Sequence, residues 1–84
     1  MMDQKRGVFD IVGNLLEHLE AGAYAKTALA SKANLSTRSS SKYISLILRV
    51  KLAVRDESTN LYKLTDKGRK FLEEYRKLRM LIEE

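Results

Sequence analysis

The stretch NLSTRSSSKYISLILRV, residues 34–50, decides the fold of this chain. Asn34 belongs to the residue types that tolerate the left-handed conformation in which helices end, and Ser36 has a side chain suited to cap the next helix. Apolar residues then recur on one helical face: Tyr43, Ile44, Ile47 and Val50. The opposite face carries Arg38, Ser41, Lys42, Ser45 and Arg49. The pattern predicts a turn and an amphipathic helix over 37–50 rather than a serine-rich linker.

Two further helices are predicted upstream of this stretch. The segment GVFDIVGNLLEHLEAG, residues 7–22, has apolar residues at helical spacing and predicts a first helix over roughly 5–21, with Gly22 at its end. Gly13 within it indicates close packing of a neighbouring element. An alanine-rich segment predicts a short second helix over 28–33, capped by Thr27. Because so few residues separate the second and third helices, the two must cross steeply, as in a helix-turn-helix.

The spacing of apolar residues changes after residue 51. Apolar and other side chains alternate along LAVR (52–55) and along LYKL (61–64), with the polar turn sequence DESTN (56–60) between them. A period of two on either side of such a turn predicts a β-hairpin. Thr65 then caps a last helix that carries Asp66 in its first turn and runs to the end of the chain.

Four apolar residues of the last helix are spaced like the seam of a coiled coil: Phe71, Tyr75, Leu78 and Ile82. Leu72, Met80 and Leu81 add apolar surface on other faces of the same helix. A small domain has little surface with which to cover so many apolar side chains, so the spacing predicts a homodimer interface. The alternative is that the whole helix packs on the first helix.

The charge of the chain is concentrated in one segment. The 84 residues form one domain with a net charge of +5, from 16 basic and 11 acidic residues, and contain no cysteine. No acidic residue occurs between Glu20 and Asp56, where seven basic residues lie: Lys26, Lys32, Arg38, Lys42, Arg49, Lys51 and Arg55. Such segregation predicts a polyanionic partner; the alternative is a solvated surface that is basic by chance.

Residues that would support catalysis or metal binding are scarce. His18 is the single histidine, the four glycines are isolated, and no cysteine is available as a metal ligand. The serines of the third helix have no base in their own element. We therefore expect no enzymatic activity, no cofactor, no metal and no small-molecule ligand. No apolar run is long enough to span a membrane, and we expect a cytoplasmic protein.

Two runs, NLSTRSSSKYISLILRVKLAV (34–54) and YKLTDKGRKFLEEYRKL (62–78), resemble the small archaeal winged helix-turn-helix DNA-binding proteins. More narrowly, the chain is similar to the ten-kilodalton archaeal chromatin-type family with a C-terminal dimerisation helix. The pattern LT-x-KG-x-x-FL over 64–72 is the most specific part. The resemblance implies an α+β, mainly α fold of three helices, a hairpin wing and a C-terminal helix. It divides the chain into a DNA-binding domain, 1–65, and a dimerisation helix, 66–84.

Two residues depart from the pattern of that family. Ser40 stands where an apolar core residue is usual, so the helix either packs loosely or buries a hydroxyl bonded to a backbone carbonyl one turn back. Lys51 stands where glycine is common, which leaves the turn into the first strand open.

The element order and the basic segment predict a nucleoid-associated transcription regulator that places helix 37–50 in the major groove of double-stranded DNA. The apolar spacing of the last helix predicts that this regulator is a dimer. Two alternatives are an architectural chromatin protein with little sequence specificity and a winged-helix protein–protein interaction module. The predicted DNA contacts on the recognition helix are Ser36, Thr37, Arg38, Ser39, Ser41, Lys42, Ser45 and Arg49. Those on the second helix are Lys26, Thr27 and Lys32, and those on the wing are Arg55, Ser58, Thr59, Asn60 and Lys63. Arg38 is the residue most suited to read a base, and the absence of asparagine and glutamine from this face favours weak specificity.

Overall fold

Residues 7–82 are described by a computed structural model, in which four helices and one hairpin follow one another. The helices are α1 (Val8–Ala21), α2 (Lys26–Lys32), α3 (Thr37–Arg49) and α4 (Asp66–Ile82), and the strands are β1 (Ala53–Asp56) and β2 (Leu61–Leu64). This order confirms the predicted mainly α winged helix-turn-helix class. Positions 5 and 6 of the predicted first helix and 83 and 84 of the last lie outside the described residues.

The turn between α2 and α3 has the predicted conformation. Asn34 is left-handed, with φ of 59°, and the Leu35 amide donates to the carbonyl of Ala30 at 2.9 Å, which closes the end of α2. Ser36 is the cap of α3, because its Oγ accepts a hydrogen bond from the Ser39 amide at 3.2 Å. The signals that define this turn are local, which is why the sequence predicted it.

The start of α2 differs from the prediction. The helix begins at Lys26, Ala25 precedes it in an extended conformation, and no side chain caps it, so Thr27 as a cap is wrong. The cause lies in the hairpin: Tyr24 forms an isolated bridge with Tyr62 of β2, with N–O distances of 2.8 and 3.3 Å. This pairing holds the chain extended up to the first residue of α2, so Thr27 falls inside the first turn.

All four helices contribute to one core. Its most enclosed side chains are Leu15, Leu16, Leu29, Ile47 and Leu72. Ile44 lies beside Ile47 in this core, as predicted, and Tyr43 packs against it half-buried. Val50 does not complete the predicted apolar face, because α3 ends at Arg49 and Val50 remains 37% exposed.

Ser40 is buried on α3, next to the core residue Ile44, and is only 2% exposed. Its hydroxyl donates to the carbonyl oxygen of Thr37 at 2.9 Å, one turn back along α3. This is the arrangement that the sequence suggested for the departure at this position. A hydroxyl satisfied within its own helix can be buried at little cost.

A left-handed residue leads into the hairpin. Lys51 has φ of 66°, which explains why glycine suits this position. The turn places Leu52 in the core before β1 begins, and Ala53 faces inward while Val54 is 48% exposed. The alternation predicted along LAVR is therefore wrong: Leu52 and Ala53 are both buried, and Val54 and Arg55 are both exposed. β1 and β2 pair antiparallel from Ala53 opposite Leu64 to Asp56 opposite Leu61.

Thr65 joins the hairpin to α4. Its Oγ1 accepts from the Gly68 amide at 2.9 Å, as predicted for a cap, and donates to the carbonyl of Lys51 at 2.7 Å. Gly68 is needed here because a Cβ would collide with the backbone carbonyl of Leu52 and lie 2.6 Å from Cδ1 of Leu64. The LT-x-KG pattern thus describes a close contact between the start of α4 and the start of the hairpin.

α4 lies along α1 and runs in the same direction. The rings of Phe9 and Phe71 stack with centroids 6.2 Å apart, and one turn later the ring of Tyr75 fills the space beside Gly13, where a Cβ would be 2.5 Å from it. This is the close approach that Gly13 predicted. The Tyr75 hydroxyl donates to Oδ1 of Asp10 at 3.2 Å. Burial first, and then the Asp10 carboxylate, raises the pKa of Tyr75.

Candidate nucleic-acid interface

The polar face of α3, which the sequence predicts to contact DNA, is exposed and basic. Arg38, Lys42, Ser45 and Arg49 are exposed along it, and Ser36 and Thr37 are exposed at its start. Ser39 and Ser41 are half-buried beside them. All eight predicted residues of the recognition helix therefore reach the surface, at least in part.

Small side chains dominate the first half of this face. Ser36, Thr37, Ser39 and Ser41 present only short hydroxyl-bearing groups, and the long side chain of Arg38 stands among them. Short side chains let a phosphate approach the backbone amides at the start of a helix, where the helix dipole favours negative charge. The serine-rich sequence is consistent with close approach of a phosphodiester backbone.

The start of α3 meets α2 across an open groove of about 560 Å³. Lys26, Thr27 and Ser31 line it from α2, and Thr37 lines it from α3. Two of the three residues predicted on the second helix are thus brought next to the start of the recognition helix. Lys32 lies elsewhere: its ammonium group is 5.3 Å from the centre of the Tyr24 ring, beside the hairpin. A cation over an aromatic face is weakly held at an exposed site.

The wing is more constrained than its polar sequence suggested. Ser58 and Lys63 both bond to the carboxylate of Asp56, and the hydroxyl of Thr59 accepts from the Leu61 amide at 3.3 Å. Asn60 is left-handed with φ of 65°. Arg55 is exposed, and no hydrogen bond or ion pair engages it within the described part of the chain.

Asp56 organises this wing, and the sequence prediction did not single it out. Its carboxylate accepts from the Ser58 hydroxyl at 2.7 Å, the Ser58 amide at 2.9 Å and the Lys63 ammonium group at 3.1 Å. These bonds, that of the Ser58 hydroxyl first, lower the pKa of Asp56 to about 2. An aspartate two residues before a serine is a common turn signal, and the DES sequence carries it. The pairing with Lys63 spans seven residues and has no such signal.

The acidic side chains of α1 lie against α4. Glu20 forms a two-point contact with the Arg76 guanidinium, at 2.7 and 3.3 Å, and Glu17 lies 3.5 Å from Nε of Arg76. The hydrogen bond from Arg76 holds the pKa of Glu20 below its ordinary value. The carboxylates next to the basic segment in sequence are therefore paired with α4, and α3 keeps its positive excess.

The predicted dimer residues divide into two pairs. Phe71 and Tyr75 are half-buried against α1, as the alternative interpretation expected. Leu78 and Ile82 are 62% and 81% exposed. The dimer stays a prediction, and within one copy of the chain only the second pair is left uncovered.

Residues 7–82 were predicted to hold no metal site and no membrane-spanning helix, and two observations concern these points. Within this range no three histidine, cysteine or acidic side chains come close enough to share a metal ion. None of the helices there combines the length and the apolar character that crossing a bilayer requires.

Three helices followed by a β-hairpin, with the second helix of a helix-turn-helix exposed and basic, define a winged-helix domain of the DNA-binding type. Residues 5–83 match the sequence model of a family described as winged helix-turn-helix, and the chain belongs to this family. No curated protein matches the chain. The family match supports DNA binding in general, and it does not extend to the archaeal, chromatin-type part of the resemblance.

Proposed function

We propose that the protein is a dimeric transcription regulator that binds duplex DNA with α3 in the major groove. The observation that carries this proposal is the face of α3, where Arg38, Lys42 and Arg49 are exposed and no acidic residue occurs from position 21 to 55. The winged-helix fold uses this helix to enter the groove. Such a protein would act beside the chromosome, in the cytoplasm.

Each part of the interface has a distinct role in this proposal. Thr37 and the backbone amides at the start of α3 donate to phosphate oxygens, and Lys26 and Thr27 contact the same strand from the adjoining groove. Arg38 reads a base edge, since a guanidinium can bond guanine at two points. Lys42 and Arg49 neutralise phosphates farther along α3, with release of counterions.

The first test removes charge from α3. Arg38→Ala with Lys42→Ala should weaken duplex binding by about tenfold or more, because a lost bidentate base contact alone costs about 1–3 kcal/mol. Both side chains are exposed, so the melting temperature should stay nearly constant. Lys70→Ala with Lys77→Ala is the matched control, because it removes the same charge from exposed positions on α4. Unaltered affinity in a mobility-shift titration, or an equal loss in the control, would contradict the role of α3.

An architectural protein with little sequence preference is the second candidate. The exposed face of α3 consists of serine, threonine, lysine and arginine, and carries no asparagine or glutamine with which to read adenine. Selected and random duplexes should be compared at two salt concentrations. A regulator prefers its selected site by about a thousandfold or more, whereas an architectural protein shows a small ratio and a steep salt dependence on both. Absence of binding to either duplex at low salt would favour the protein–protein module.

The dimer in this proposal is formed through the C-terminal segment 66–84, which contains α4, and residues 1–65 are the DNA-binding part. Leu78 and Ile82 continue the line of Phe71 along α4, and the neighbouring Leu81 is 80% exposed. Phe9, 70% exposed beside Phe71, extends this apolar strip onto α1. Several exposed apolar side chains on one helix of a small domain are typical of an interaction site.

Leu78→Asp with Ile82→Asp should convert the dimer to a monomer without unfolding it, because both side chains are exposed in the single chain. Met80→Asp is the control: it places a charge at a position that is 77% exposed and lies on the opposite side of α4, at 100° per residue. The mass is measured by light scattering, with circular dichroism to verify the fold. A wild-type monomer, or a double variant with the mass of a dimer, would contradict this interface.

A further inference from the structure

The wing carries an internal charge cluster centred on Asp56. Asp56 is the last residue of β1, and Lys63 lies on β2 opposite Val54, so the two side chains meet diagonally on one face of the hairpin. The ammonium group of Lys63 is 3.1 Å from Oδ2, while Oδ1 accepts both the amide and the hydroxyl of Ser58. The carboxylate therefore binds one basic group and one hydroxyl group of the wing at the same time.

The hairpin as a whole carries no net charge. Between residues 53 and 64 Arg55 and Lys63 are balanced by Asp56 and Glu57. From residue 26 to 51 the chain carries six basic residues and no acidic one. The two parts that would contact DNA thus differ in net charge: α2 and α3 are positive and attract phosphates, whereas the wing is neutral. Of the two basic residues of the wing, Lys63 is paired with Asp56, and Arg55 has no partner within residues 7–82.

We propose that Asp56 sets the strength of the contact between the wing and DNA, by holding Lys63 and the Ser58 hydroxyl away from the phosphates. This inference rests on the proposed DNA binding. A phosphate must displace the carboxylate before it can bind Lys63, and the carboxylate itself repels the phosphate. The result is weaker attraction to any duplex, so that discrimination depends more on the contacts made by α3.

Asp56 stays ionised under ordinary conditions and therefore continues to bind Lys63 and Ser58. The bonds from Ser58 and Lys63 hold the pKa of Asp56 at about 2, so the carboxylate stays ionised wherever duplex DNA is intact. The main chain adds to the geometry, because the Asn60 amide donates to the carbonyl of Asp56 at 2.6 Å. The turn therefore positions the carboxylate at the base of the wing loop.

The test is Asp56→Asn. The amide oxygen of asparagine can still accept from the Ser58 amide, so the turn is retained, but the charge that pairs with Lys63 is lost. The variant should bind duplex DNA about three- to tenfold more tightly at low salt, with a salt slope steeper by about 0.9, the value for one added phosphate contact. The gain should shrink by about threefold between 50 and 200 mM salt.

Two controls separate the cluster from net charge. Glu57→Gln removes the same charge from the neighbouring exposed position and leaves the pair of Asp56 and Lys63 in place. It should raise affinity less and leave the slope nearly unchanged. In a double-mutant cycle, Lys63→Met should cost more affinity in the Asp56→Asn background than in the wild type.

The outcomes distinguish this inference from the function on which it rests. Equal effects of Asp56→Asn and Glu57→Gln, or a Lys63→Met effect that is the same in both backgrounds, would overturn the role of Asp56 while DNA binding stands. The same holds for an Asp56→Asn variant that is folded and binds as the wild type does. Absence of wild-type binding to any duplex at low salt would overturn the proposed function itself.

Discussion

Substitution of Gly68 tests the close contact between the start of α4 and the hairpin. Its amide bonds to Oγ1 of Thr65, and a Cβ at this position would meet the backbone carbonyl of Leu52 and Cδ1 of Leu64. The Leu64 side chain can rotate away. The carbonyl of Leu52 cannot move freely, because it accepts the Thr65 amide at 3.1 Å. Gly68→Ala therefore forces a shift of the main chain between the hairpin and α4.

The expected magnitude follows from three opposing contributions. Alanine favours the helix by about 1 kcal/mol relative to glycine. Overpacking against a closely packed core costs about 1–3 kcal/mol, and the upper part of this range applies because the obstacle is backbone. Weakening of the bond between Thr65 and Leu52 adds about 1 kcal/mol. The free energy of unfolding should thus fall by about 2–3 kcal/mol, which lowers the melting temperature of a domain this small by about 8–24 °C.

Thermal unfolding followed by circular dichroism measures this change, with Gly22→Ala as the matched control. Gly22 is extended, with φ of 173°, and a Cβ added there would have open space around it, with no atom beyond its chain neighbours within 4 Å. The control should stay within about 0.5 kcal/mol of the wild type. If Gly68→Ala melts as the wild type or above it, the close contact between α4 and Leu52 does not exist in solution.

Three further predictions concern single positions. Ser36→Ala removes the cap of α3 and should lower the free energy of unfolding in urea by about 1 kcal/mol; an unchanged midpoint would refute the cap. Lys51→Gly relieves a φ of 66° and should raise that free energy by about 1 kcal/mol in the same assay; a loss of stability would contradict the left-handed turn. The pKa of Asp56 is lowered from 3.8 to about 2, so its contribution to stability is complete above pH 3.8 and is lost as the pH falls toward 2. Acid unfolding of Asp56→Asn should lack this component, and superimposable acid titrations would argue against the cluster.

The third helix was predictable because its determinants are local. The turn at Asn34, the cap at Ser36 and the apolar pair Ile44 and Ile47 all act within one or two helical turns. The prediction failed where the local conformation depends on a residue far away in the sequence. Thr27 lost its expected cap position because Tyr24 pairs with Tyr62, which lies 38 positions away in the chain, and nothing in the alanine-rich segment carries a sign of that partner.

In the candidate sites, too, local features were predictable from the sequence and features that depend on a distant partner were not. The spacing of Phe71, Tyr75, Leu78 and Ile82 is the same whether the partner is α1 or a second chain, so periodicity alone left both alternatives open. The geometry assigns Phe71 and Tyr75 to α1 and leaves the other two exposed. On the wing, residue types suggested phosphate contacts, whereas the position of Lys63 beside Asp56 depends on strand register, which local sequence does not specify.

The two proposed contacts should respond differently to salt: DNA binding should weaken as the salt concentration rises, whereas the dimer should persist. The α3 face is basic, so binding to DNA must weaken as salt rises, with a slope of about 0.9 for each phosphate contact. The side chains of Leu78 and Ile82 are apolar and exposed, and the basic residues around Leu78 in the sequence all form ion pairs with carboxylates. Arg76 pairs with Glu17 and Glu20, Lys77 with Glu74, and Arg79 with Glu17. Such exposed ion pairs add little stability. They nevertheless leave little net charge beside the interface, so two copies of the chain would repel each other only weakly. A dimer formed there should persist at salt concentrations that release the DNA, so loss of both at one salt concentration would mean that DNA, rather than α4, holds the two copies together.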